Sequence, residues 1–115
     1  MIINVLKIVA AIATIGTGLL SLLRPRSVFG FTGLSAEGGR GITEIRSILG
    51  ALFVALGGAV LYFQDSETYA MLGIMYLFVA LVRLISIFVD ESAEQSNIIS
   101  LISEVILGVI LVLPG

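Results

Sequence analysis

The chain has no cysteine, no histidine and no tryptophan, and charged residues make up only 12% of its 115 positions. Without cysteine there is no disulfide and no thiol nucleophile. Without histidine there is no imidazole base, and zinc sites of the Cys/His kind have no ligands. Hydrolytic triads are excluded with them, and nothing calls for a cofactor. The net charge of −2 comes with no basic stripe, which argues against a nucleic-acid partner. What the chain has instead is apolar side chain. It is 58% hydrophobic, with a mean hydropathy of +1.17. Soluble domains carry roughly 25% charged residues. A soluble fold of this composition would expose large greasy patches, so the reading is an integral membrane protein with the lipid bilayer as its main partner.

Four apolar segments are each long enough to cross a bilayer, at roughly 20 residues per span. They run over residues 2–23, 40–63, 68–89 and 97–113. Pro25 ends the first, because proline lacks the donor a helix needs. Gln64, Asp65, Ser66 and Glu67 make a polar turn, and residues 90–96 make another. A lipid-facing span must satisfy its own backbone hydrogen bonds, so each segment is predicted helical. The fold class is all-α: an integral membrane four-helix bundle forming one domain over residues 1–115. The first segment is too long for the apolar core of a signal peptide and is read as a retained helix.

The first connection is the longest. Val28, Phe29, Phe31 and Leu34 are spaced by Gly30 and Gly33, which reads as an interfacial loop with aromatic anchors; a lid is the alternative. An internal repeat is also visible. Arg24-Pro-Arg-Ser27-Val28-Phe29 matches Arg83-Leu-Ile-Ser86-Ile87-Phe88, Ser35-Ala36-Glu37 matches Ser92-Ala93-Glu94, and Ile48-Leu49-Gly50 matches Ile106-Leu107-Gly108. That pattern predicts two helical hairpins in one orientation. It also predicts Ser35 and Ser92 as matched helix N-caps, with the second helix beginning near Ala36. Arg24, Arg26 and Arg40 crowd the first connection. The positive-inside rule therefore places that connection in the cytoplasm and both termini outside the cell membrane.

Charges inside the spans are the candidate site. Arg40, Glu44 and Arg46 belong to the second segment, Arg83 to the third and Glu104 to the fourth. By residue counting, Glu44, Arg46, Arg83 and Glu104 lie about 6 to 10 Å in from the same side. A charge at such depth costs about 3 kcal/mol, so it pairs, lines a cavity or does chemistry. Arg83 with Glu104 is the natural interhelical pair, and Arg40 with Glu44 is an i,i+4 pair. Arg46 is left with the fewest partners and is the leading ligand-binding candidate. Helical spacing predicts inward stripes through Ala11, Thr14, Gly18 and Ser21; through Arg40, Glu44, Ser47, Ala51, Ala55, Gly58 and Tyr62; through Tyr69, Tyr76, Arg83 and Asp90, flanked by Ala80 and Ser86; and through Asn97, Ser100, Glu104 and Gly108. Arg46, about 200 degrees from Glu44, heads a second stripe on the second segment with Gly50, Phe53 and Gly57, facing the first helix, a second subunit or an anionic ligand.

Gly39-Arg40-Gly41-Ile42-Thr43-Glu44-Ile45-Arg46 carries a G-R-G-x-x-E-x-R pattern. It follows a Pro25 and Phe29-Gly30 connection and leads into Leu49-Gly50. Together with Arg83, Glu104 and Gly108, this resembles a family of uncharacterised bacterial four-span membrane proteins over nearly the whole chain. The resemblance implies the fold and brings no activity. Likeness to DoxX-type proteins is at the level of architecture alone. Small multidrug exporters depend on a carboxylate in the first helix, which is absent here. The functional expectation is a transporter- or channel-like protein. Arg46, Arg83, Glu44, Glu104 and Arg40 would bind a small anionic ligand, an ion or a lipid headgroup. The alternative is an assembly scaffold whose charges fix helix packing. Four thin helices enclose little volume, which favours a homodimer. An enzyme is the third reading, with only Glu44, Glu104 and the tyrosines to act as base.

Overall fold

The structure, a computed structural model, describes residues 2–32 and 34–114. It is all-α among those residues. Four helices are long and apolar enough to cross a membrane: α1 (Ile2–Leu23), α2 (Gly38–Phe63), α3 (Ser66–Val89) and α4 (Gln95–Val112). Large apolar side chains such as Ile12, Phe78, Val82 and Ile102 stand exposed, as lipid-facing spans require. The chain divides into two compact units. One is Ala11–Tyr62; the other joins Met1–Ala10 to Phe63–Gly115.

In the first unit, α1 and α2 meet through glycine. A β-carbon at Gly18 would stand 2.7 Å from the Gly50 carbonyl oxygen, and one at Gly57 would stand 2.8 Å from the Ala11 carbonyl oxygen. Backbones approach this closely only where side chains are missing. This contact decides which side of α2 faces inward, and the polar stripe expected there is corrected. Arg40, Glu44, Ser47, Ala51, Ala55, Gly58 and Tyr62 are all exposed, while Ile45, Gly50, Gly57 and Val60 are buried. The helix widens into π geometry over Ile45–Ala51, with the Leu52 N–H donating to the Ser47 carbonyl. One π turn spans five residues, which keeps Ile45 and Gly50 on the same inward side. On α1 the small stripe does face inward: Ala11, Thr14, Gly18 and Ser21 are buried.

The first connection folds into a 3-10 turn, Pro25–Val28, and one helical turn, Phe29–Thr32. Pro25 and Val28 are buried. Thr32 closes the segment by donating its hydroxyl to the Val28 carbonyl at 2.6 Å. Gly33 and the side chain of Phe31 lie outside the described residues.

In the second unit, α3 and α4 form a hairpin. A β-carbon at Gly73 would stand 2.8 Å from the Gly108 carbonyl oxygen. The inward stripe of α3 holds, with Tyr69, Tyr76 and Ala80 buried. Asp65 caps α3, accepting from the Thr68 backbone N–H at 2.8 Å and from the Thr68 hydroxyl. This cap starts the helix at Ser66, two residues before the expected boundary. The N-caps of α2 and α4 are Glu37 and Glu94, both in extended backbone, so the assignment to Ser35 and Ser92 is corrected. The helices begin two residues later than serine capping requires, because the chain stays extended through each glutamate.

Asp65 gives a pH prediction. Hydrogen bonds from Thr68, side chain first and backbone second, hold its carboxyl below the usual range. A lowered folded pKa stabilises the fold in full above the unfolded value of about 3.9. That contribution disappears as pH falls through the folded value. The wild-type melting advantage over Asp65→Ala is therefore expected to shrink between about pH 6 and about pH 2. A constant difference across that range counts against the cap.

Candidate functional site

The α3–α4 hairpin carries one polar cluster. Arg83 lies six residues before the end of α3, about 9 Å along the axis. Its Nε–H donates to Glu104 Oε1 at 2.8 Å and its Nη2 to Glu104 Oε2 at 2.8 Å. This is the two-pronged geometry that makes arginine–carboxylate pairs strong. Nη1 donates to Asn97 Oδ1 at 2.9 Å. Asn97 in turn donates from Nδ2 to the Ser92 carbonyl at 2.9 Å and to the Ser92 hydroxyl at 3.2 Å. One arginine thus ties α3 to α4 and to the turn between them. The side chains of Arg83 and Glu104 are 30% and 13% exposed, so the pair is partly rather than fully buried. Both carboxylate oxygens and all three guanidinium nitrogens are engaged.

The α2 charges are arranged differently. Arg40 and Glu44 form the expected i,i+4 pair, with side chains 81% and 53% exposed. Arg46 is exposed and lies within the π segment. Among the described residues it forms no salt bridge. A cavity of about 320 Å³ opens beside Glu44, lined by Leu34, Ser35, Ala36, Ile45, Ile48 and Leu49 among others. Arg46 does not line it. Arg40, Glu44 and Arg46 belong to one unit of the chain, and Arg83 and Glu104 to the other.

Sequence reasoning passed over Lys7, which is 1% exposed. Its ammonium stands 5.7 Å from the centroid of the Tyr69 ring, within the range of a cation–π contact. The signal was available: Lys7 precedes Ala11 by four residues, on the same stripe as Thr14, Gly18 and Ser21. A lysine one turn before a buried small-residue stripe is carried inward with it. Asn97 had a weaker signal, sharing a face with Glu104. The part of Ser92 had none, since it depends on the shape of the turn.

Four helices long and apolar enough to cross a membrane, two of them joined by an arginine–glutamate ion pair, are compatible with a small multi-pass α-helical membrane protein. The family model described as Domain of unknown function (DUF4345) matches residues 2–114, and the chain belongs to that family. Compared with curated proteins and with solved structures, the chain finds no match.

Proposed function

We propose that this membrane protein binds a small anionic group, a free anion or a lipid headgroup, at the start of α2, with Arg46 as its principal ligand. The observation that carries this reading is the contrast between the two span arginines. Arg83 has a carboxylate and an amide filling its donors. Arg46 has no salt bridge to any described residue. An arginine within a span lowers its energy by reaching a phosphate or a bound anion. Arg40, held by Glu44, stands at the rim of the same site. Arg83 and Glu104 then serve as the clamp of the α3–α4 hairpin. On this reading the first connection faces the cytoplasmic leaflet, where anionic lipid is richest.

The scaffold reading keeps one specific support: the saturation of Arg83 is what a packing device looks like. The two readings separate in one experiment. Arg46→Gln is expected to fold with wild-type yield and melt within about 2 °C of wild type in neutral detergent, since surface changes move stability by about 0.5 kcal/mol or less. It is expected to lose the melting increase that phosphatidylglycerol gives the wild type. A variant that retains the full increase contradicts the assignment of Arg46.

A further inference from the structure

The end of the first connection and the start of α2 enclose the cavity of about 320 Å³, a size at the small end of the roughly 300–1,000 Å³ range of ligand pockets. One wall is a strap, residues 34–36, which is held at both ends. The Leu34 N–H donates to the Thr32 hydroxyl at 3.2 Å. Ala36 lies against the helix, its Cβ 2.7 Å from where a β-carbon at Gly41 would stand. Glycine at position 41 therefore lets the strap come this close. The other wall is the flank of α2 that carries Glu44, Ile45, Ile48 and Leu49 at three- and four-residue spacing. The last three belong to the π segment, a geometry frequent at functional sites.

The cavity is polar at one end and apolar at the other. Ser35 and Glu44 lie toward the start of α2. Ile48 and Leu49 follow Glu44 by one helical turn, about 6 to 7.5 Å deeper along the axis. Ile48 is exposed although it belongs to a span, so the deep end opens sideways toward hydrocarbon. A molecule entering there leads with an alkyl chain and leaves its headgroup at Glu44. Glu44 Oε1 accepts from Arg40 Nη1. That bond uses one carboxylate oxygen, and the side chain is more than half exposed, so Oε2 is open to a further donor. The Arg40 side chain is more exposed still, and a guanidinium has five N–H donors. The mouth thus carries a carboxylate and a guanidinium side by side.

A simple anion at this mouth is repelled by Glu44, and a bare amine is repelled by Arg40. The complementary headgroup carries a donor cation and an anion a few atoms apart. We propose that the cavity seats one alkyl chain of a zwitterionic phospholipid with a primary ammonium, the ammonium on Glu44 and the phosphate on Arg40. A primary ammonium has three N–H donors for the carboxylate, and the arginine fork suits phosphate oxygens. This goes beyond the anion site at Arg46 and does not depend on it, since Arg46 does not line the cavity.

The test uses the full chain in dodecyl maltoside. Melting is followed with short-chain phosphatidylethanolamine and with phosphatidylcholine of the same chains, whose quaternary ammonium has no N–H to donate. Wild type is expected to melt about 4 °C or more higher with the first than with the second. Glu44→Met keeps the side-chain length and removes the acceptor; it is expected to melt equally in both. Ile48→Trp fills the deep end of the cavity. It is expected to melt as wild type does in detergent alone and to lose the response to the ethanolamine lipid. Glu44 is exposed, so its variant keeps the test decisive if Ile48→Trp does not fold. Equal melting of wild type in both lipids, or a preference retained by Glu44→Met, overturns the proposal. So does an Ile48→Trp variant with the full response. A dimer that forms without lipid and is lost in Ile48→Trp assigns the cavity to a second copy of the chain instead. Arg46→Gln separates this site from the anion site: it is expected to lose the phosphatidylglycerol increase and to keep the phosphatidylethanolamine one.

Discussion

Glu104→Gln is expected to lower the unfolding free energy by about 2–3 kcal/mol. Removing one partner of a buried ion pair costs about 3–5 kcal/mol, because the other charge is left without compensation. The figure is set lower here because the Arg83 side chain is 30% exposed and retains some access to polar surroundings. Arg83→Gln is expected to cost a similar amount and also releases Asn97, which bonds both Arg83 and the Ser92 turn. The informative variant is the double one. Arg83→Leu with Glu104→Leu removes both charges together, and apolar replacement of an ion pair is often close to neutral. The double variant is therefore expected to be more stable than either single one. Reversible unfolding in mixed micelles of wild type, Arg83→Leu, Glu104→Leu and the double variant measures all four corners of the cycle. Single variants within about 0.5 kcal/mol of wild type would mean that the pair holds nothing together.

The second large effect belongs to the glycines. Gly73→Ala is expected to destabilise by about 1–3 kcal/mol, the usual penalty for overpacking a close contact. The added methyl would meet the Gly108 carbonyl oxygen, Leu111 Cβ and Val112 Cγ1, all at 2.8 Å. Backbone and β-carbon cannot swing aside as a side-chain tip can. Gly18→Ala meets the Gly50 carbonyl oxygen and the Val54 nitrogen at 2.7 Å and is expected to cost a comparable amount. Gly16→Ala and Gly58→Ala are the controls, since nothing stands within 4 Å of either β-carbon position. Helix propensity favours alanine over glycine by up to about 1 kcal/mol, so these two should be neutral or stabilising. Equal losses at all four positions would mean that the crossings do not set the helix spacing.

Much of this architecture was legible because a span in lipid has few options. Length and apolarity located four helices, and seven-residue spacing turned Tyr69, Tyr76 and Arg83 to one side. The pairing of Arg83 with Glu104 followed from the scarcity of charge. The facing of α2 was legible only in part: of its two stripes, the one through Gly50 and Gly57 meets α1. Its polar residues resemble an inward stripe in a straight α-helix, but glycine contacts with α1 and a π turn at Ile45–Ala51 set the orientation instead. Backbone proximity leaves no signature in hydropathy beyond the glycines themselves. The caps were missed for a similar reason. Ser35 and Ser92 have the better capping chemistry, yet extended backbone at Glu37 and Glu94 delays each helix. Lys7 shows the opposite failure: the stripe was read correctly, and the lysine at its head was counted only as a topological charge.

Arginine side-chain NMR tests the contrast between Arg83 and Arg46 most directly. The exchange rate of each Nε–H with water is measured in nanodiscs of phosphatidylcholine and again with phosphatidylglycerol added. Arg83 should exchange slowly and equally in both, because its Nε–H is held by Glu104. Arg46 should exchange fast in the neutral bilayer and slow down when anionic lipid is present. Arg46 as slow as Arg83 in neutral lipid, or Arg83 responding to the headgroup while Arg46 does not, would contradict the account.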